Sequence, residues 1–231
     1  MAKTDSPSVT RERLLSEAES RFAEKGYEAV SVREITTAAE CNLAAVNYHF
    51  GSKKNLYLEV FRERWIPRAR RIHAAFRESL NAEEGSSPAD VVEALARAFL
   101  EGPLTDEERS RHHQLIAREM AKPSGAFELL AREAMQPFFM EVAGLLHQDG
   151  FGSPPVPKED LFLDILSMMA IVLYYNFARN AVTRMTGKPY DEAFRKRLVE
   201  HIIRYSLNGM GLQAPARSET GREGKPMERN G

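Results

Sequence analysis

The chain has very little cysteine. Cys41 stands alone among 231 residues, which excludes an intramolecular disulfide and any cysteine-rich metal site and suits a reducing compartment. An excess of charge of one sign is also missing: 28% of residues are charged, yet the net charge is −1. Any attraction to a polyanion must then come from local clustering. Period-two runs of Val, Ile and Thr between tight turns are nearly absent, which argues against a sheet. The first ten residues, MAKTDSPSVT, lack the apolar core of a signal peptide. The longest apolar stretch, Leu161 to Ala178, is interrupted by Asp164 and is too short for a convincing membrane span. A cytoplasmic location without a membrane partner is expected.

Catalytic punctuation is missing as well. There is no Gly-rich phosphate loop, no G-x-S-x-G and no H-E-x-x-H, and Cys41 falls in a turn between short helices, so neither an enzymatic role nor a cofactor is expected. His112 and His113 are adjacent and diverge by about 100° on a helix, with no i, i+4 partner set, so no metal site is expected.

What is present is helical periodicity, and 43% hydrophobic residues are enough for a sizeable core. The expected fold is all-α. Thr10 to Lys25 places Leu14, Leu15, Ala18, Phe22 and Ala23 on one face and stops at Gly26. Ser31 and Glu34 form an S-x-x-E box at the head of a helix to about Ala39. After a break at Glu40 to Asn42, a third helix runs from about Leu43 to Phe50. Ser52 can cap a fourth that continues through Arg77, with a kink expected at Pro67. Further helices are expected at Ala89 to Glu101, Thr105 to Ala121, Phe127 to His147, Lys158 to Thr186 and Asp191 to Asn208.

Ser31 to Phe50 reads as a helix-turn-helix, a short helix, a tight turn and a second helix with a small, polar front. Leu43, Ala44, Ala45 and Asn47 form the expected groove-facing set, with Val46 and Phe50 inward. The Asn47 amide can bridge adenine N6 and N7, and alanine methyls can meet thymine methyls. Ser31, Arg33, Tyr48, His49, Lys53 and Lys54 are candidate phosphate contacts, which fix register without reading sequence. From His49 to Arg77, eight basic residues less the two acids Glu59 and Glu63 leave a local charge of +6, the expected electrostatic footprint. Taken singly, a capping box or a basic helix more often marks an ordinary solvated helix.

The run TRERLLSEAESRFAEKGYEAVSVREITTAAECNLAAVNYHFGSKKNLYLEVF resembles the N-terminal motif of the TetR/AcrR family of transcriptional regulators, through F-A-E-K-G-Y, S-V-R-E-I and Y-H-F-x-S-K. The resemblance implies that Gly26 and Tyr27 are structural, that Ser31 and Arg33 lie near phosphates, that Leu43 to Asn47 face bases, and that Tyr48, His49 and Lys53 grip the backbone. Glu40 and Cys41 depart from the usual Gly and Val, which places Glu40 in a turn conformation at some strain. Asn47 stands in a slot often held by Tyr, leaving open whether it or Tyr48 reaches a base. The segments HHQLIAREMAKPSGAF and PFFMEVAGLL resemble the CecR-like branch.

The chain is expected to divide into a flexible start at 1–9, a DNA-binding domain at 10–56 and an effector-binding and dimerisation domain at 57–212, the last two by the resemblance, and a tail at 213–231 that is expected to be disordered because it is almost without apolar residues. The resemblance implies a ligand-responsive repressor, with a small-molecule effector and a double-stranded operator as partners. Leu161 to Ala178 and the stripe Leu198, Ile202, Ile203, Tyr205 and Leu207 suit pairing of the last two long helices in a homodimer; ordinary monomer core is the alternative. His113, Arg118, Met120, Phe138, Phe139, Met168, Tyr174, Tyr175 and Asn176 combine apolar bulk with polar handles and are the candidate ligand contacts. Arg118 and Glu119 form an expected ion pair, or Arg118 meets an anionic effector. A rival to the regulator is an all-α interaction module with a vestigial helix-turn-helix.

Overall fold

The computed structural model describes residues 6–80, 87–146 and 158–211, and every regular element among them is helical. Helix α1 (Pro7–Lys25) starts before the expected Thr10. The Ser6 hydroxyl accepts from the Val9 N–H, and Pro7 occupies the first turn, where a missing N–H costs nothing. Residues 7–9, expected to be flexible, are therefore helical. The helix ends at Gly26, whose φ of 84° is open chiefly to glycine and whose N–H donates to the Phe22 carbonyl.

Helices α2 (Val32–Ala38), α3 (Ala44–Phe50) and α4 (Lys53–Val60) follow. The departure from regular helix comes just ahead of Pro67. There α4 widens into a π turn at Phe61–Trp65 before entering α5 (Ile66–Ser79), with the Ile66 N–H reaching back to the Phe61 carbonyl. Proline offers no N–H to the carbonyl four residues back and its ring crowds that oxygen; a wider turn relieves both.

Helix α6 (Pro88–Leu100) and helix α7 (Asp106–Ala121) each begin in a full capping box, Ser87 with Asp90 and Thr105 with Glu108. The helix expected at Phe127 to His147 is interrupted: α8 (Gly125–Leu130) passes through a second π turn, Ala131–Met135, into α9 (Gln136–Leu146). This turn also lies just before a proline, Pro137, and the Gln136 N–H donates to the Ala131 carbonyl. The helix expected from Lys158 to Thr186 divides at Ala178 into α10 (Lys158–Phe177) and α11 (Arg179–Thr186). Helix α12 (Glu192–Gly209) is capped by Asp191, which accepts from the Phe194 N–H. The expected disordered tail and the connection at 81–86 lie outside the described residues.

Two apolar clusters hold these helices together. The first joins α1 to α4 with Phe61, Trp65, Ile66 and Ala69, and draws in Leu115, Ile116, Ala126, Leu129, Leu130 and Ala134 from α7, α8 and the second π turn. The second gathers Ile72 and Phe76 of α5 with α6, α9, α10 and α12. The domain boundary expected between Leu56 and Tyr57 falls inside the first cluster, because α4 and α5 form one rod shared by both. Helix α10 is long and apolar enough to cross a membrane by composition. It buries Leu161, Ile165, Met168 and Val172 in the second cluster, at helical spacing, and leaves Leu163 and Tyr174 exposed on its other side.

Candidate nucleic-acid interface and effector cavity

The α2–α3 pair is positioned by short-range chemistry. Ser31 caps α2 by accepting from the Glu34 N–H at 3.1 Å. The expected reciprocal half of the box is absent among the described contacts; the Glu34 carboxylate instead accepts from Lys25 Nζ at 2.5 Å and lies 3.9 Å from Arg21. Those cations hold its pKa below the ordinary carboxylate value. Glu40 adopts φ 51° in the turn, the left-handed conformation in which a side chain is strained. Asn42, which the spacing of the motif does not single out, accepts from the Ala44 N–H at 2.8 Å and starts α3. Cys41 packs half-buried against the first cluster, and burial pushes its thiol pKa up, as suits a small packing residue.

Helix α3 buries Val46 and Phe50 and turns Ala44, Asn47 and Tyr48 outward beside exposed Leu43. Ala45, expected in the groove-facing set, is half-buried against the first cluster; with Val46 fixed inward, 100° per residue carries position 45 partly inside and position 48 fully out. Tyr48 is 78% exposed and meets the half-buried His49 edge-on, with ring centroids 4.8 Å apart. Lys53 stands over the Tyr27 ring at 4.2 Å, Lys54 is exposed, and Ser31 and Arg33 are exposed at the head of α2.

The expected +6 footprint is smaller than the sequence suggests. Arg62 pairs with Glu59, Arg64 with Glu12, Arg68 with Glu19, Arg71 with Glu108 and Arg77 with Glu141. Four of these acids come from elsewhere in the chain, so the long rod is largely neutralised by its neighbours.

Behind the rod lies a cavity of about 650 Å³, walled by α5 to α10 and both π turns. Of the candidate ligand contacts, His113, Met120, Phe138 and Phe139 line it; Arg118, Met168, Tyr174, Tyr175 and Asn176 do not. Met168 faces the second core, Tyr174 is exposed, the Tyr175 carbonyl accepts from the Tyr190 hydroxyl at 3.1 Å, and Asn176 Nδ2 donates to the Val172 carbonyl. Residues not foreseen in the wall include Trp65, Ile72, His73, His112, Met135, Ile165 and Met169. Trp65 stacks on His112 at 4.3 Å and 10°, and its indole N–H donates to the His112 carbonyl at 2.9 Å. His73 lies parallel to Phe138 at 3.9 Å.

Residues 88–210 match the family described as the C-terminal domain of the HTH-type transcriptional dual regulator CecR, and residues 14–60 match the tetR family of bacterial regulatory proteins. The chain belongs to the TetR family, in its CecR-like branch. CecR of Shigella flexneri, an HTH-type transcriptional dual regulator, is 30% identical over 142 residues, covering 59% of this chain and 62% of that protein. The match thus spans less than two thirds of that relative's length. AcnR of Corynebacterium glutamicum, an HTH-type transcriptional repressor, is 40% identical over 63 residues, 27% of this chain and 34% of that one. The fold is shared with a TetR-like transcriptional regulator from Rhodococcus sp. RHA1, with a TM-score of 0.63 at 15% identity over 87% of this chain and 96% of that one. It is shared also with HlyIIR, a hemolysin II transcriptional regulator, with a TM-score of 0.58 at 22% identity over 85% and 98%.

In this TetR-family chain, one helix touches both the cavity and the N-terminal helices. Helix α7 turns His112, His113, Ile116 and Met120 to the cavity, while Arg111, Arg118 and Glu119 reach the other way. Arg118 and Glu119 do not pair with each other, as adjacent helical residues point about 100° apart. Arg118 donates to the carbonyls of Ala23 and Glu24 at the end of α1, against Gly26, where an added Cβ would lie 3.1 Å from its Nη1. Glu119 accepts from the Tyr57 hydroxyl at 2.6 Å, from Ser124 and from the Phe127 N–H. Burial and that bond hold the Tyr57 phenol pKa far above its ordinary value. Glu19 of α1, 1% exposed, accepts from Arg68 and, at 3.5 Å, from Arg111.

Proposed function

We propose that the chain is a DNA-binding transcriptional regulator that acts as a homodimer on a palindromic operator and responds to a small molecule held in the cavity. The observation that carries this reading is the α3 surface. Leu43, Ala44, Asn47 and Tyr48 stand out on a short helix anchored by Val46 and Phe50, flanked by Ser31, Arg33, His49, Lys53 and Lys54. Such a strip can enter a major groove while the flanking groups hold phosphates. None of the described residues occupies the Asn47 amide, which leaves it free for adenine. Two copies would join through α10 and α12, whose Leu163, Tyr174 and Tyr205 are exposed. The recognition helices would then stand about 34 Å apart, one turn of DNA.

Repression is the default action, in the cytoplasm, and the effector would shift the spacing of the two recognition helices. A ligand in the cavity bears on α7, and α7 holds α1 through Arg118 and α4 through Glu119. The test is binding to genomic DNA flanking its own gene, at two salt concentrations. A saturable, palindromic site whose affinity falls with salt is expected; its absence would sink the reading.

A further inference from the structure

The cavity wall is almost wholly apolar, and none of its described lining side chains carries a full charge. Its polar groups are Gln136 and three imidazoles, beside the Trp65 indole already committed to the His112 carbonyl. His112 and His113 are 4% and 5% exposed. Nδ1 of His112 and Nε2 of His113 are buried without a hydrogen-bond partner. Burial keeps both imidazoles uncharged at neutral pH, with the His113 pKa lowered to about 3 and that of His112 well below its ordinary value.

No arginine or lysine is among the described residues that line the cavity. Arg109 turns its two Nη groups to the carbonyls of Phe99, Gly102 and Leu104, and Arg179 pairs with Asp106 and stacks on Tyr190. An ion entering such a space loses its hydration without gaining a counter-ion. A neutral imidazole, by contrast, can accept or donate one hydrogen bond at each free nitrogen.

We infer that the cavity selects an uncharged, largely aromatic or aliphatic molecule of drug-like size carrying a hydroxyl, carbonyl or amide group, with the His112 and His113 imidazoles as its hydrogen-bonding handles. The inference rests on the reading of the cavity as the effector site, but its test needs no DNA. Trp65, the single tryptophan of the chain, lies in the wall and reports occupancy by its fluorescence.

The full-length protein at pH 7.5 is titrated with biphenyl, 4-phenylphenol, biphenyl-4-carboxylate and biphenyl-4-ylmethylammonium. The phenol is expected to shift Trp65 emission saturably and to bind at least about tenfold more tightly than either ion. In folded His112→Phe and His113→Phe variants the preference for the phenol over biphenyl should shrink about tenfold, and His113→Gln, which keeps a neutral polar group, should restore part of it. Either ion binding as tightly as the phenol, or no saturable response across the series, overturns the inference. The comparison of ions uses the native chain, so a variant that fails to fold does not shield it. A protein that takes up the phenol yet binds no operator refutes the functional reading and leaves the chemistry of the cavity standing.

Discussion

Helix α3 displays its outward strip with two inward anchors, Val46 and Phe50, four residues apart, whereas the cavity wall takes its side chains from helices spread between Trp65 and Leu173. The first surface is exposed, polar and local. The second is apolar, assembled from many helices and open to solvent on one side, at Met120, Met140, Phe162 and Leu166. A recognition helix needs only to be held at the right angle, so most of its outer side chains are free of structural duty. A cavity is the space that packing leaves over, so most of its lining residues also serve the core. Mutations should therefore separate the two regions cleanly, with binding effects on α3 and mixed stability and ligand effects around the cavity.

The sharpest way to break that separation is to cut the seam between the regions. Glu19→Ala leaves Arg68, 7% exposed, with only the more distant Glu108 at 3.7 Å and should cost about 2–4 kcal/mol in urea denaturation. A loss below about 1 kcal/mol would mean that the pair is hydrated and the seam loose.

Acid comes next, because it acts on the cavity side. His113 lies near Arg109 and Arg179, and His73 near Arg77 and Glu141; their pKa values are lowered to about 3 and about 4, chiefly by burial. Each imidazole stays neutral in the fold but takes up a proton at about 6.5 once unfolded, so the unfolded state gains protons first and stability falls as pH drops from about 6.5 towards 4. For His113 alone the loss at pH 5 is about 2 kcal/mol. A melting temperature unchanged between pH 7.5 and 5.0 would show that water reaches these rings.

On the DNA side, Asn47→Ala should relax the preference at one base pair by about 1–3 kcal/mol, with fold stability unchanged. Lys53→Ala should weaken all sequences alike and reduce the salt slope by about one unit. Indistinguishable behaviour of the two, read by anisotropy on matched and mismatched operators, would refute the assignment of Asn47 to bases and Lys53 to phosphate. The smallest effect is expected at Glu40→Gly, which relieves the left-handed strain at φ 51° and should stabilise the chain by up to about 1 kcal/mol. A destabilised variant would mean that the Glu40 side chain makes a contact of its own.

Much of the recognition unit is legible in the sequence. The helix-turn-helix, the Ser52 cap, the inward Val46 and Phe50 and the turn at Glu40 follow from spacings of a few residues. Sequence and structure part where distant residues compete. The capping box at Ser31 loses its second half because Lys25 captures Glu34. The basic rod loses its footprint because Glu12, Glu19, Glu108 and Glu141 come to it from other helices. Arg118 has the chemistry of a ligand group and is instead a clasp on the end of α1.

The sequence alone determined the all-α class, the place of the recognition helix and, Ala45 excepted, which of its residues face outward, because periodicity, caps and turn conformations act within one or two helical turns. Tertiary structure decided which arginines remain uncompensated, where the helix widens ahead of Pro67 and Pro137, and which residues wall the cavity. Ion pairs and voids depend on which remote segments meet, and in this chain that is settled only when α7 packs between the N-terminal helices and the cavity.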